Sequence, residues 1–137
     1  MAKTANSYIL PQDNRLKSAV ITAAKASDSN LTDAVKIFDA GANGSLLKKA
    51  WAIPRQGGSP ADSKLTLLAY DGATVYLLDS VKLAAYTAST ATATPTTTFT
   101  LPTADEPIYI PSGWSVYGAS AVAFASGIVF NALVEDY

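Results

Sequence analysis

The feature that most constrains this chain is its punctuation. Turn-forming clusters recur at Ser27-Asp28-Ser29-Asn30, Gly41-Ala42-Asn43-Gly44, Gln56-Gly57-Gly58-Ser59-Pro60, Asp71-Gly72, Pro111-Ser112-Gly113 and Ser126-Gly127. Gly and Asn tolerate left-handed backbone, Pro presets φ, and Asp and Ser side chains bond their own turns, so each cluster ends an element. The apolar runs between them cover residues 19–24, 34–40, 46–53, 64–70, 74–83, 108–110, 114–118 and 128–134. Runs this short fall below the usual helix length, and short strands at near-even spacing predict an all-β sandwich or barrel.

Local periodicity agrees in part. Leu65, Leu67 and Ala69 alternate with Lys64, Thr66, Leu68 and Tyr70, the period of two that a strand requires. Val35, Ile37 and Asp39 alternate with Lys36 and Phe38 in the same way. Asp71-Gly72 predicts a hairpin between Tyr70 and Val75, because Gly accepts the positive φ of a tight primed turn. Leu77, Leu78, Val81 and Ala85 also fit a helical spacing, but the β-branched and aromatic residues Thr74, Val75, Tyr76 and Val81 favour strand.

Three segments are read separately. Residues 1–14 lack either period and form an extended N-terminal arm, with a short apolar patch at Tyr8, Ile9, Leu10 and Pro11 as its anchor and no signal-peptide run. Residues 87–103 hold nine Thr in seventeen positions, which suits either a long loop or an edge strand around 95–101 with Phe99 and Leu101 anchored inward. Residues 116–134 carry no charge and could span a bilayer of about 30 Å. Gly118, Ser120, Ser126, Gly127 and Asn131 argue instead for two neighbouring strands in a buried sheet, turned at Ala125-Ser126-Gly127.

Composition then limits the chemistry. A chain of 137 residues is one domain by its length, here residues 15–137, and needs no staple to bury a core. With no His and no Cys it lacks imidazole bases, thiolates and the usual zinc ligands, and no Ser-His-Asp triad can form. Ten Lys and Arg against eleven Asp and Glu leave a net charge of −1, without the basic cluster that nucleic acid requires. Only 15% of residues are charged, against roughly 25% on average, so much of the surface is neutral. Such a surface suits contact with other proteins.

Candidate sites are correspondingly few. Asp105-Glu106 and Glu135-Asp136 are the carboxylate pairs, yet neighbours on a strand project to opposite faces, so neither is expected to act as an acid/base couple. Asp28, Ser29 and Asn30 offer oxygen ligands without a defined cation-loop spacing. Gly41-Ala42-Asn43-Gly44-Ser45 lacks the Lys of a phosphate loop and reads as a tight turn. No catalytic, cofactor-binding or metal-binding residue is expected. Trp51 shares parity with Leu47, Lys49 and Ile53, a face that mixes Lys with apolar groups, so it is either core or the centre of a protein contact.

The order of motifs resembles a family. Thr22-Ala23-Ala24, Asp28, Thr32, Ile37-Phe38 and Ala40-Gly41-Ala42-Asn43-Gly44-Ser45 look like the front half of small virion structural proteins of tailed bacteriophages. Residues 65–72 and 77–81 look like their central hairpin, and Ile110-Pro111-Ser112-Gly113-Trp114-Ser115-Val116 with Asp136-Tyr137 like their closing strands. The resemblance implies a jelly-roll β-sandwich of about eight strands that serves as a head decoration or cement protein. It further implies a place on the outer surface of the virion head, the major capsid protein as partner, self-association as a homotrimer, and no dealings with membrane or nucleic acid. A tail, collar or fibre component that binds carbohydrate is the alternative. The arm lies outside the resemblance, and Ala132-Leu133-Val134-Glu135 departs from the family's usual Gly-rich approach to the terminus.

Overall fold

A computed structural model describes residues 14–25, 27–55, 58–59, 61–87, 89–103 and 105–137. The apolar arm residues Tyr8, Ile9, Leu10 and Pro11 lie outside these. Eleven strands form among the described residues, with no helix: β1 (Asn14–Ile21), β2 (Val35–Asp39), β3 (Ser45–Pro54), β4 (Gly58–Ser59), β5 (Ser63–Tyr70), β6 (Val75–Leu83), β7 (Tyr86–Thr87), β8 (Thr97–Thr98), β9 (Ile108–Ile110), β10 (Ser115–Ser120) and β11 (Ile128–Asp136). The longer strands lie where the turn clusters predict, except that the first begins at Asn14, ahead of the predicted apolar run; the two-residue β4 falls inside the predicted turn at residues 56–60, and β7 lies outside the predicted runs.

Two antiparallel sheets pack face to face. The first runs β1-β11-β3-β8, with β9 also on β3, and the second runs β2-β10-β5-β6; β4 and β7 make a small ribbon. All their strand pairs are antiparallel. Successive strands mostly cross from one sheet to the other, and the β5-β6 hairpin stays in one. Its turn is the predicted Asp71-Gly72, with Gly72 at φ 100°. Asp71 accepts hydrogen bonds from the Ala73 and Thr74 amides, so the carboxylate fixes the turn that the glycine permits.

Between the sheets lie Ile21, Leu47, Ala52, Leu65, Leu67, Val116, Phe124, Ile128 and Phe130, all buried. Each large member stabilises the fold by about 1.5–3 kcal/mol. The packing interlocks at one point. Gly118 on β10 has no side chain, and the Phe130 ring of the opposite sheet fills the place where a Cβ would stand. Phe99 meets the same ring at 5.9 Å between centroids.

Several expectations need correction. Residues 116–134 form two strands, but β10 and β11 belong to different sheets, and the turn carries the chain across the sandwich instead of joining neighbours. The cause is Phe124, buried in the core with its amide bonded to the Thr22 carbonyl, which pins the crossing chain to the end of β1. Among the described residues no helix is long and apolar enough to cross a membrane. In β2, Ile37 and Phe38 are both buried, because a bulge lets Val116 and Tyr117 pair with Phe38 and Lys36 and leaves Ile37 as the extra residue. Thr66 and Leu68 are buried as well as Leu65 and Leu67, so β5 is covered on both faces. In the Thr-rich tract Phe99 points inward as expected, but Leu101 is exposed, because the ladder on β3 involves only Thr97 and Thr98 before the chain turns away.

Candidate interaction surface

The side chains that alternate away from the core on the first sheet form one continuous face. Its rows follow from register: Val20, Val129 and Ile53; Ser18, Asn131, Trp51 and Thr98; Leu16, Leu133 and Lys49. Trp51 sits at the middle and is half-buried, outside the core that its apolar neighbours in sequence enter. The core reading of Trp51 is therefore corrected: it is a surface residue of the sheet. Lys49 places its ammonium 5.2 Å from the Trp51 ring centre, a cation–π contact. Asn131 accepts a 2.7 Å hydrogen bond from Ser18, which satisfies the polar centre of the face internally. Of the ten outward residues in these three rows Lys49 alone is charged, while the next row, Asn14, Glu135 and Leu46, carries the Glu135–Lys48 ion pair. Leu16 is 62% exposed and Val20 40%.

Leu16 and Val20 were not legible as surface groups from the apolar run that begins at residue 19. The signal was present in the alternation of Leu16, Ser18 and Val20 with Arg15, Lys17 and Ala19.

The second sheet carries a smaller aromatic face. Tyr117, Leu68 and Leu77 lie in one row, with Tyr70 set edge-on to Tyr117 at 6.4 Å. At the hairpin end Tyr76 stacks on Trp114, centroids 5.3 Å apart and planes 13° from parallel, and the Tyr76 hydroxyl donates to Asp71. Trp114 thus packs at the rim, as its position after Pro111-Ser112-Gly113 suggests. Nearby, Ser115 donates to Asp39 at 2.5 Å, which holds that carboxyl below its usual range, with Lys36 adding to the effect; Asp39 in turn raises Lys36.

The polar clusters hold the fold. Glu135 pairs with Lys48, while Asp136 accepts from Ser45 at 2.6 Å and lies 4.0 Å from Arg15, so the two acids serve different partners. Asp105 and Glu106 are exposed in the loop before β9. Asp28 pairs with Lys64. Asn30 Oδ1 and the Thr32 carbonyl, the oxygens a bound cation would need, both accept from the buried Lys25 ammonium, at 2.8 and 2.7 Å. An internal cation therefore occupies that loop, and burial lowers the Lys25 pKa despite Asp33 and Asp28 nearby. Among the described residues no three Asp or Glu cluster in a way that could hold a metal ion. The turn at Gly41-Ala42-Asn43-Gly44 is clamped by the chain end: the Tyr137 amide donates to the Gly44 carbonyl, the Asn43 amide to Tyr137, and the Tyr109 hydroxyl to the Asn43 carbonyl.

No protein-family model matches this chain, and no curated protein matches it in sequence. Among solved structures it is similar to a pentameric capsid protein from metagenomic phage sequences, at 12% identity and a TM-score of 0.39, over 88% of this chain and 60% of that one. It is also similar to a chain in the structure of the Gx strain of infectious bursal disease virus, at 12% identity and a TM-score of 0.27, over 98% of this chain and 41% of that one. The chain thus spans less than two thirds of either.

Proposed function

We propose that this protein is a non-enzymatic structural component of a virus particle, a decoration or cement protein that lies across seams between major capsid subunits and stabilises the head. The observation that carries the reading is the outer face of the first sheet: a largely apolar surface with a tryptophan at its centre and its charges, Lys49 and the Lys48–Glu135 pair, toward one end, which is the composition of a protein contact. The winding supports it. The order β1-β11-β3-β8 against β2-β10-β5-β6 is that of two Greek keys closed into a jelly roll, an architecture used in viral shells. In this reading the protein assembles as a homotrimer, so that several weak contacts combine into one strong attachment. The arm residues Tyr8, Ile9, Leu10 and Pro11 are proposed to reach a neighbour.

The test compares particles with and without the protein. Particles lacking it should lose their contents at lower temperature, and adding back wild-type protein should restore them while Trp51→Glu should not. Equal survival of both kinds of particle refutes the stabilising role.

A second reading, a tail or collar component that binds carbohydrate, has its own support in the Tyr76–Trp114 stack beside Asp71, since an exposed aromatic next to a carboxylate can hold a sugar ring. Antibody labelling of intact particles distinguishes them: label on the head supports the first reading, and label confined to the tail supports the second.

A further inference from the structure

Strand β1 is the margin of the first sheet, and β11 is its only strand partner among the described residues. Its ladder runs from Asn14 opposite Glu135 to Ile21 opposite Ile128 without a bulge, eight residues long. The other margins are shorter or irregular. β2 has five residues and a bulge against β10, β6 has a bulge against β5, and β8 and β9 have two and three residues. Natural proteins blunt sheet edges with prolines, bulges, short strands or charges that face the approach, because an unblunted edge offers a row of backbone donors and acceptors to another chain. On β1 there is no proline; its outer face carries Asn14, Leu16, Ser18 and Val20, and its two cations, Arg15 and Lys17, lie on the opposite face, where they guard against registers that oppose them but not against every register.

The strand is also complementary to itself. When two copies pair antiparallel about a two-fold axis normal to the sheet, opposed residues must lie on the same face, so their numbers sum to an even value. A sum of 32 sets Arg15 against Lys17, and a sum of 34 sets Lys17 against itself; like charges directly opposed destabilise a pair. A sum of 38 leaves Leu16 opposite Thr22. A sum of 36 sets Leu16 against Val20, Arg15 against Ile21, Lys17 against Ala19 and Ser18 against itself. That register alone pairs the two exposed apolar groups and opposes no like charges.

We infer that β1 is a self-pairing edge: two copies of this chain join their first sheets through antiparallel β1 strands centred on Ser18. The outer faces then become one surface, with the Trp51 patches of both copies on the same side. The contact is two-fold, so in a particle it links copies across a different axis from the proposed three-fold assembly, and it does not depend on that assembly.

The absence of cysteine makes the register directly measurable. Ser18→Cys puts one thiol per chain at the two-fold axis, where opposed Cβ atoms lie about 4.5–5.5 Å apart. Leu16→Cys puts its thiols four residues out of register, roughly 13 Å apart along the strands. Under mild oxidation of the full chain, Ser18→Cys should form a covalent dimer at least tenfold faster than Leu16→Cys. In light scattering after gel filtration the wild type should show mass at twice the monomer as concentration rises, and Val20→Lys, an exposed change outside the core, should shift that rise at least tenfold higher. Equal cross-linking of the two cysteine variants overturns the proposal, as does a wild type that stays monomeric at several hundred micromolar. A trimer without Ser18→Cys cross-linking also overturns it while leaving the proposed function standing.

Discussion

Replacing Gly118 by Ala is a severe test of the interlocked core. A Cβ built on Gly118 stands 2.9 Å from Phe130 Cε2 and closer still to Cδ2, and it meets Ile21 Cδ1 at 3.0 Å. None of these atoms can yield cheaply, because Phe130 and Ile21 are buried and Phe130 leans on Phe99. Two effects compete. Alanine should favour the extended strand by roughly 0.5–1 kcal/mol over glycine. Overpacking a tight core costs about 1–3 kcal/mol. The second wins, for a net loss of about 1–2 kcal/mol and, for a chain of this size, a melting temperature lower by roughly 4–8 °C. Urea unfolding of Gly118→Ala, Phe130→Leu and the double variant measures it. Since leucine withdraws the ring, the double variant should be more stable than the sum of the single losses by at least about 0.5 kcal/mol. A Gly118→Ala protein as stable as wild type, or strictly additive losses, refutes the account.

Other perturbations address the turns and the buried lysine. Gly44 has φ 89° and the Tyr109 ring lies where its Cβ would be, so Gly44→Ala should cost at least about 2 kcal/mol by thermal unfolding, from backbone strain and the displaced tyrosine hydrogen bond. The Asp71 pKa is lowered, first by the Thr74 amide and then by Ala73 and Tyr76. Its stabilisation is complete above the unfolded carboxyl value and is lost as pH falls through the lower folded value, so the stability gap between wild type and Asp71→Ala should narrow below about pH 4 in urea titrations. Lys25 is buried with two oxygen partners on an exposed loop, and Lys25→Ala, which removes both charge-assisted bonds and leaves the acceptors to water, should cost about 1–3 kcal/mol and speed amide exchange in residues 27–34.

The sequence was legible wherever one local rule decided the structure. Asp71-Gly72 specifies its hairpin locally, through the backbone freedom of Gly72 and the Asp71 carboxylate on the Ala73 and Thr74 amides, and the spacing of turns gives the all-β class. What escaped depended on partners remote in the chain. Ile37 and Phe38 are both buried because β2 bulges at Ile37 against β10, and the residues 35–39 alone do not show where the register against a remote strand will shift. The sheet assignment of β10 and β11 depends on Phe124 entering the core between them, an apolar residue within a uniformly apolar run. Trp51 was legible as half-buried from the Lys that shares its face. The rest of that surface was hidden because Leu16 and Val20 stand in a strand that hydrophobicity marks only at its end.

The place of β11 in the first sheet bears on how the chain is made. Residues 128–136 form the last of the described strands in sequence, yet it is the strand that holds β1 and β3 together. Synthesis delivers β1 and β3 early and their common neighbour last. Until residue 136 clears the ribosome, the first sheet has no central strand, and β1 waits through more than a hundred residues for its pairing partner. Contacts so distant in sequence make folding slow and leave strand edges open meanwhile. The first sheet therefore closes only once residues 128–136 are available, and the face centred on Trp51 does not exist before them.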